Sequence, residues 1–319
     1  MPRGTAVTSG AFAMKCSFSV FLLLCIVFSL AAEVVKEQKD HLVYRQPDGK
    51  EVLVKKNPKR VVIAYASLAS VWDLAGGKAV GVSFANDDRA IPPAMKHLPR
   101  IGGSTVPNVE RITMLSPDLV LLTAKLSRQR QIADLLNKTG IPAVCVQYVT
   151  YHDFAALLDF FCKINSTSIN ALPRAAQIVN EVSSLCRETK KLNQPRCAVL
   201  FAAGAGFFVE SKLNNVGGMV SMLGAKNIRR TDSPARIHFS YEQLLVDDPD
   251  VILITVMGTS LKERFEKEFM QRPEWKSLQA VKNNRVHFLP GDLFLYMPGP
   301  RYPEAFRYLA KLLYPEIAF

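Results

Sequence analysis

Glu110–Thr123 reads ERITMLSPDLVLLT, and Glu242–Thr255 reads EQLLVDDPDVILIT. In each stretch a glutamate opens an amphipathic turn or two, Pro-Asp follows seven and eight residues later, and a short apolar, β-rich run ends in threonine. Pro117 and Pro249 cannot continue a helix and bias the residue before them towards extended backbone, so each unit reads as short helix, stop, buried strand. The identical spacing implies one architectural unit used twice.

Working outward from the first unit, Leu42–Lys56 alternates as a β-hairpin with its turn at Pro47-Asp48-Gly49. RVVIAYA (Arg60–Ala66) is a continuous apolar run of the kind found in strands covered on both faces, and a helix beginning near Ser67 ends at Gly76-Gly77. A strand at Ala79–Ser83, a helix over Ser127–Thr139 and a strand at Ala143–Tyr148 complete a first β/α alternation, which argues for a parallel, doubly wound sheet. From Ala171 to Leu192 apolar residues recur at helical spacing over more than the usual helix length. The alternation then restarts: a strand at Cys197–Ala203, a Gly-rich loop, a helix over Asn215–Leu223, the second repeat unit, a helix around Leu261–Phe269, a strand at Arg285–Pro290 and a final helix over Pro303–Tyr314. The expected architecture is two α/β lobes joined by one long helix.

The chain has 319 residues, 49% of them hydrophobic, which is enough to bury a large core. Its formal net charge of +12 is spread over both halves; a distributed excess reads first as a plain solvated surface, with attraction for an anionic ligand or a membrane surface as the alternative. No basic stripe interleaved with aromatics and no nucleic-acid-binding motif occurs, so no nucleic acid is expected. Lys15 followed by FSVFLLLCIVFSL (Phe18–Leu30) and Ala31-Ala32 has the layout of a signal peptide cut near Ala31, with Met14 as an alternative start. Cys25 lies inside the apolar run, so no lipobox is read, and an exported, periplasmic protein is expected. Beyond that segment four cysteines remain. Cys186 and Cys197 could close a short disulfide loop, but Cys145 and Cys162 sit in apolar stretches where a free cysteine packs as a small hydrophobe.

PKRVV (Pro58–Val62), IGGSTVPNVERITMLSPDLVLL (Ile101–Leu122), GGMVSMLGAKNI (Gly217–Ile228), SYEQLLVDDPDVILI (Ser240–Ile254) and WKSLQAVKNNRVHFLP continuing to GPRYPEAFRYLAKLLYPE occur in this order. Together they closely resemble the class III periplasmic binding proteins, the substrate-binding components of ABC importers for iron-siderophores, haem and cobalamin. The resemblance covers about residues 42–316. It implies two Rossmann-like lobes with parallel sheets joined by a single long α-helix, a ligand between the lobes, no catalytic residues and no intrinsic cofactor. Divided on that pattern, the chain has a signal peptide (1–31), an extension with a hairpin (32–57), an N-terminal lobe (58–168), a connecting helix (169–193) and a C-terminal lobe (194–319). The resemblance also implies that one glutamate per lobe, by motif position Glu110 and Glu242, meets arginines of a permease at the inner membrane. The duller role for each is to favour its own helix N-terminus.

Open α/β sheets bind ligands at the carboxyl ends of their strands. The candidates there are Tyr65, Phe84, Arg89, Lys125 and Tyr148 in the first lobe, and Phe208, Arg236, His238 and Tyr296 in the second. Aromatics mixed with cations suit a flat or bulky anion such as a ferric siderophore or a haem with its propionates. Tyr65 and His238 are each readable as an iron ligand or as a plain wall or loop residue, and Arg301 as an anchor of the final helix. Five scattered histidines do not make a bare-metal site. No hydrolase, P-loop or zinc-protease motif is present. The expectation is a monomeric binding protein that captures an iron chelate for an ABC permease. The alternatives are a corrinoid as ligand, or a sensor or enzyme that uses the fold without a permease.

Overall fold

The two copies of the repeated unit sit at equivalent places in two different sheets. The structure, a computed structural model, describes residues 33–85, 91–204, 206–229, 231–258, 261–264, 266–267 and 273–317. The first sheet contains β4 (Val61–Ile63), β5 (Gly81–Phe84), β6 (Arg100–Gly103), β7 (Leu119–Thr123) and β8 (Ala143–Val146), in the order β6-β5-β4-β7-β8. All four neighbouring pairs are parallel. The apolar runs are continuous because both faces are covered. Val61, Ile63, Leu119 and Leu121 pack with Trp72 and Phe161, whereas Val62, Ala64, Val120 and Leu122 pack with Ile112, Ile132 and Leu136. Helices α1 (Ala69–Leu74) and α4 (Tyr151–Ile164) therefore cover one face, and α2 (Val109–Met114) and α3 (Ser127–Lys138) the other.

The second sheet is mixed, where parallel sheets are expected from the sequence. β9 (Arg196–Ala203), β13 (Val251–Val256) and β14 (Val286–Phe288) run parallel, and β11 (Lys226–Asn227) pairs parallel with β9. β10 (Gly206–Val209) and, at the edge, β12 (Ile237–His238) add antiparallel strands. β9 and β10 form a hairpin with Ala203 opposite Gly206, the first residue of β10, whose φ of +112° is a conformation open to glycine. Helix α6 (Asn215–Met222) then packs so closely that a Cβ on Gly217 would lie 2.1 Å from the Ser211 carbonyl oxygen. This close approach is why the GGM motif needs its first glycine.

Between the sheets runs α5 (Pro173–Thr189), 17 residues long, with Pro173 in its first turn and a 3₁₀ turn at Ile169–Ala171 ahead of it. The periodicity extends the helix over Ala171–Leu192, but the separate turn and Lys190 at the C-cap shorten it at both ends. One continuous core joins the lobes through this helix. Val182 and Leu185 share it with Phe154 of the first lobe and with Val199 and Phe306 of the second. Tyr151 of α4 packs edge-on against Tyr302 at 5.0 Å and Phe306 at 5.2 Å, both in α8 (Tyr302–Leu313). The hairpin of β2 (His41–Arg45) and β3 (Glu51–Lys55) turns at Pro47–Gly49 and gains a third strand, β1 (Glu33–Glu37). Tyr44 anchors this small sheet by stacking on Phe160 at 4.0 Å.

The Pro-Asp pairs have a structural job. Asp118 accepts hydrogen bonds from the backbone N–H groups of Lys59 (2.6 Å) and Arg60 (2.8 Å), just ahead of β4. Asp250 accepts from the N–H of Arg196 (2.7 Å), at the start of β9. Each aspartate thus fixes the strand of its own unit in register beside the central strand of its lobe. The residues before the prolines, Ser116 and Asp248, are left-handed (φ +43° and +35°) instead of extended. Closing the preceding helix requires that reversal, and it overrides the pre-proline bias. Cys145, Cys162, Cys186 and Cys197 are all buried and free, so Cys186 and Cys197 do not close a disulfide loop.

Candidate functional site

In the first sheet the chain moves outward from β4 to β5 and β6, then returns to the other side of β4 for β7 and β8. The loops after β4 and β7 consequently diverge, and a crevice opens at the carboxyl ends of the two strands. A buried amide holds this rim together. Gln129 accepts from Thr123 N–H (2.8 Å) with its oxygen and donates to the Ala64 (3.0 Å) and Ser104 carbonyls with its nitrogen. One side chain thus ties the ends of β4 and β7 to the loop after β6, although nothing in the sequence pattern marks it.

The crevice is a cavity of about 740 Å³. Its first-lobe wall includes Tyr65, Ser67, Phe84, Ser104, Lys125 and Leu126, and its second-lobe wall Met257, Asp292, Tyr296, Met297 and Arg301. Phe84 (53% exposed), Met257 (52%) and Tyr296 (45%) present large apolar surfaces to the opening instead of to the core. Burial raises the Tyr65 phenol above its ordinary pKa. Asp73 and Arg174 also belong to the wall. The Asp73 carboxyl is pushed up by burial and held back by the charge of Arg174. The Arg301 guanidinium is fully engaged, donating to both Glu304 oxygens (2.7 Å each) and to Asp292 Oδ2 (3.1 Å), which fixes the start of α8.

The candidates therefore divide. Tyr65, Phe84, Lys125 and Tyr296 come together in the cavity wall, while Arg89 lies outside the described residues. Tyr148 is a correction: two residues past β8 its ring turns inward, 3% exposed, against Phe154 at 6.3 Å, and it belongs to the core. Phe208 and His238 face each other across the β10–β12 pairing with ring centroids 4.6 Å apart, on the edge of the sheet and not in the wall. Arg236 is likewise outside the wall. Its guanidinium lies 3.7 Å over the Phe201 ring, and Nε (2.9 Å) and Nη2 (2.5 Å) both donate to Oε1 of buried Glu210. Asp73 and Arg174 escaped a reading based on strand-end loops because they sit on helices α1 and α5.

Glu110 and Glu242 are both exposed at the second position of a short helix. Asn108 caps α2 by accepting from Arg111 N–H, and Ser240 caps α7 (Tyr241–Asp247) by accepting from Gln243 N–H. Ser240 Oγ also donates to Glu242 at 2.8 Å, and this bond holds that carboxyl below its usual range. Among the described residues no three His, Cys, Asp or Glu side chains converge on a metal-sized site, and no helix is long and apolar enough to cross a membrane.

Two α/β lobes on one rigid helix, with an open, aromatic and thioether-lined crevice at the strand ends, define a cleft-type binding protein. The sequence model of the Periplasmic binding protein family matches residues 61–293, and the chain belongs to that family. It is 27% identical over 211 residues, 63% of this chain and 69% of the relative, to the high-affinity heme uptake system protein IsdE of Staphylococcus aureus. In fold it resembles an ABC transporter substrate-binding protein from Listeria monocytogenes, with a TM-score of 0.70 and 21% identity over 82% of this chain and 100% of that one. It also resembles S. aureus IsdE complexed with heme, with a TM-score of 0.64 and 22% identity over 80% of this chain and 98% of that one.

Proposed function

We propose that this protein is the substrate-binding component of an ABC importer, exported by the segment 1–31, and that it captures an iron chelate, a haem or a ferric siderophore, in the crevice between its lobes. The observation that carries this reading is the composition of the cavity wall: exposed Phe84, Met257 and Tyr296 offer flat contact area beside the cation of Lys125. At about 740 Å³ the cavity falls within the range of about 300–1,000 Å³ usual for small-molecule sites. Similarity to a heme uptake protein points the same way. Tyr65 is the wall's first-lobe phenol and the group best suited to a ferric centre.

Delivery would use Glu110 and Glu242, whose exposed carboxylates stand on equivalent helices of the two lobes. Two separated charges set orientation as well as attraction when they meet paired arginines on a permease. Titration of the purified protein with haemin, ferric siderophores and cobalamin tests the ligand. A saturable Soret shift or fluorescence change with an iron chelate is expected, and no response to any of them sinks the reading. For docking, Glu110→Ala with Glu242→Ala should leave ligand binding intact and abolish uptake by the reconstituted transporter; undiminished uptake removes the docking assignment.

A further inference from the structure

Away from the crevice, the repeated unit carries a second regularity. Among the described residues, Met114 (78% exposed) and Val246 (74%) are the two most exposed large hydrophobic side chains, ahead of Leu53 at 59%. They occupy the same position of the two units, four residues after Glu110 and Glu242. The match extends inward: Ile112 and Leu244, two residues after the glutamates, are both buried and hold α2 and α7 against their lobes. Residues four apart share one face of a helix. In each lobe an exposed carboxylate and an exposed apolar side chain therefore stand next to each other, one turn apart.

Single exposed hydrophobics are ordinary. This matched pair is not accounted for by folding, because neither side chain takes part in a core cluster. Nor does local structure ask for it, since β-branched Val246 is a poorer helix former than a glutamine or lysine would be. The charge beside each apolar group selects what covers it. A second copy docked through this face brings the same carboxylates to the contact, and an anionic lipid surface repels them. A protein that presents a cation beside an apolar surface answers both groups, and it must do so twice.

We infer that Met114 and Val246 are paired docking knobs, each entering an apolar socket of the permease beside the cation that meets Glu110 or Glu242. An ion pair left in water is screened by salt and contributes little; apolar contact around it excludes water and strengthens it. In each lobe the carboxylate sets orientation and the knob dries the contact. The inference rests on the reading of Glu110 and Glu242 as permease contacts.

Binding of the purified protein to its permease in nanodiscs, measured across a range of ionic strength, tests this. Met114→Ser with Val246→Ser is expected to weaken docking at least about tenfold, and its affinity should fall more steeply with salt than that of wild type, because its ion pairs stay wet. Met114→Leu with Val246→Leu should retain docking, and Leu53→Ser, at an exposed hydrophobic outside the units, should have no effect. Wild-type affinity and salt dependence in the serine variant overturn the inference, as does an equal loss in Leu53→Ser. Glu110→Ala with Glu242→Ala separates the two readings. Loss of docking in the alanine variant alone removes the knobs and keeps the glutamates, loss in the serine variant alone keeps the knobs and removes the glutamates, and no docking by wild type removes both. A dimer in sedimentation velocity that the serine variant abolishes assigns the face to a second copy, and binding to phosphatidylglycerol vesicles that it abolishes assigns the face to lipid; either result overturns the permease contact.

Discussion

Asp118 illustrates how much one side chain decides. Its two oxygens take the N–H groups of Lys59 and Arg60, and its own N–H donates to the Arg60 carbonyl at 3.1 Å, so β7 cannot slide along β4. Hydrogen bonds to a charged group contribute about 1.5–3 kcal/mol, and removing the acceptor leaves two donors to find water. Asp118→Ala should therefore lower the unfolding free energy by about 2 kcal/mol, with Asp118→Asn in between, as read from urea denaturation midpoints at an unchanged slope. The Pro-Asp spacing is plain in the sequence. The partners of the aspartate are not, because they lie 58 and 59 residues away.

At the scale of elements, α5 meets α8 along its length, and Arg307 Nη1 donates to Glu181 Oε2 at 2.6 Å on the outer side of the contact. The Glu181 carboxyl is held below its ordinary range, first by Arg307 and then by the Gln177 amide. A carboxyl depressed in the folded state contributes stability above its unfolded value of about 4.3 and loses it as the pH falls through the folded value. Both side chains are substantially exposed, so solvent screening limits the contribution to under about 1 kcal/mol. Arg307→Ala should show a deficit of that size at neutral pH, and the deficit should shrink as the pH falls below the unfolded carboxyl value and through the lower folded one, in chemical denaturation run across the range.

For the whole molecule, the continuous core through α5 makes the lobes one body. Val182 and Leu185 touch both sides, and the Tyr151–Tyr302–Phe306 ring cluster links α4 directly to α8. Ligand capture should accordingly involve small adjustments of the lobes. The same core holds Cys162, Cys186 and Cys197, and Cys145 lies in the core on the other face of the first sheet. Burial raises the thiols to about 11 at Cys162 and Cys186 and about 12 at Cys145. Since the thiolate is the reactive form, these four should resist alkylation in the folded protein and react together on global unfolding. Mass spectrometry after a pulse of iodoacetamide checks this, and modification of any one of them in native buffer would contradict it.

The sequence by itself determined the repeated unit, the α/β alternation and the helix between its two rounds, because hydrophobic period, proline and glycine act over a few residues. It also brought Tyr65, Phe84, Lys125 and Tyr296 to the crevice, since strand order carries strand ends to one side of a sheet. The tertiary structure decided which way each side chain faces and what lies beside it. Tyr148 turns into the core, Phe208 is taken up in β10 between β9 and β12, and Asp73 and Arg174 enter the wall from helices. The bonds of Gln129 to Ala64 and Ser104 and of Glu210 to Arg236 depend on contacts between distant segments, which no local pattern of residues records.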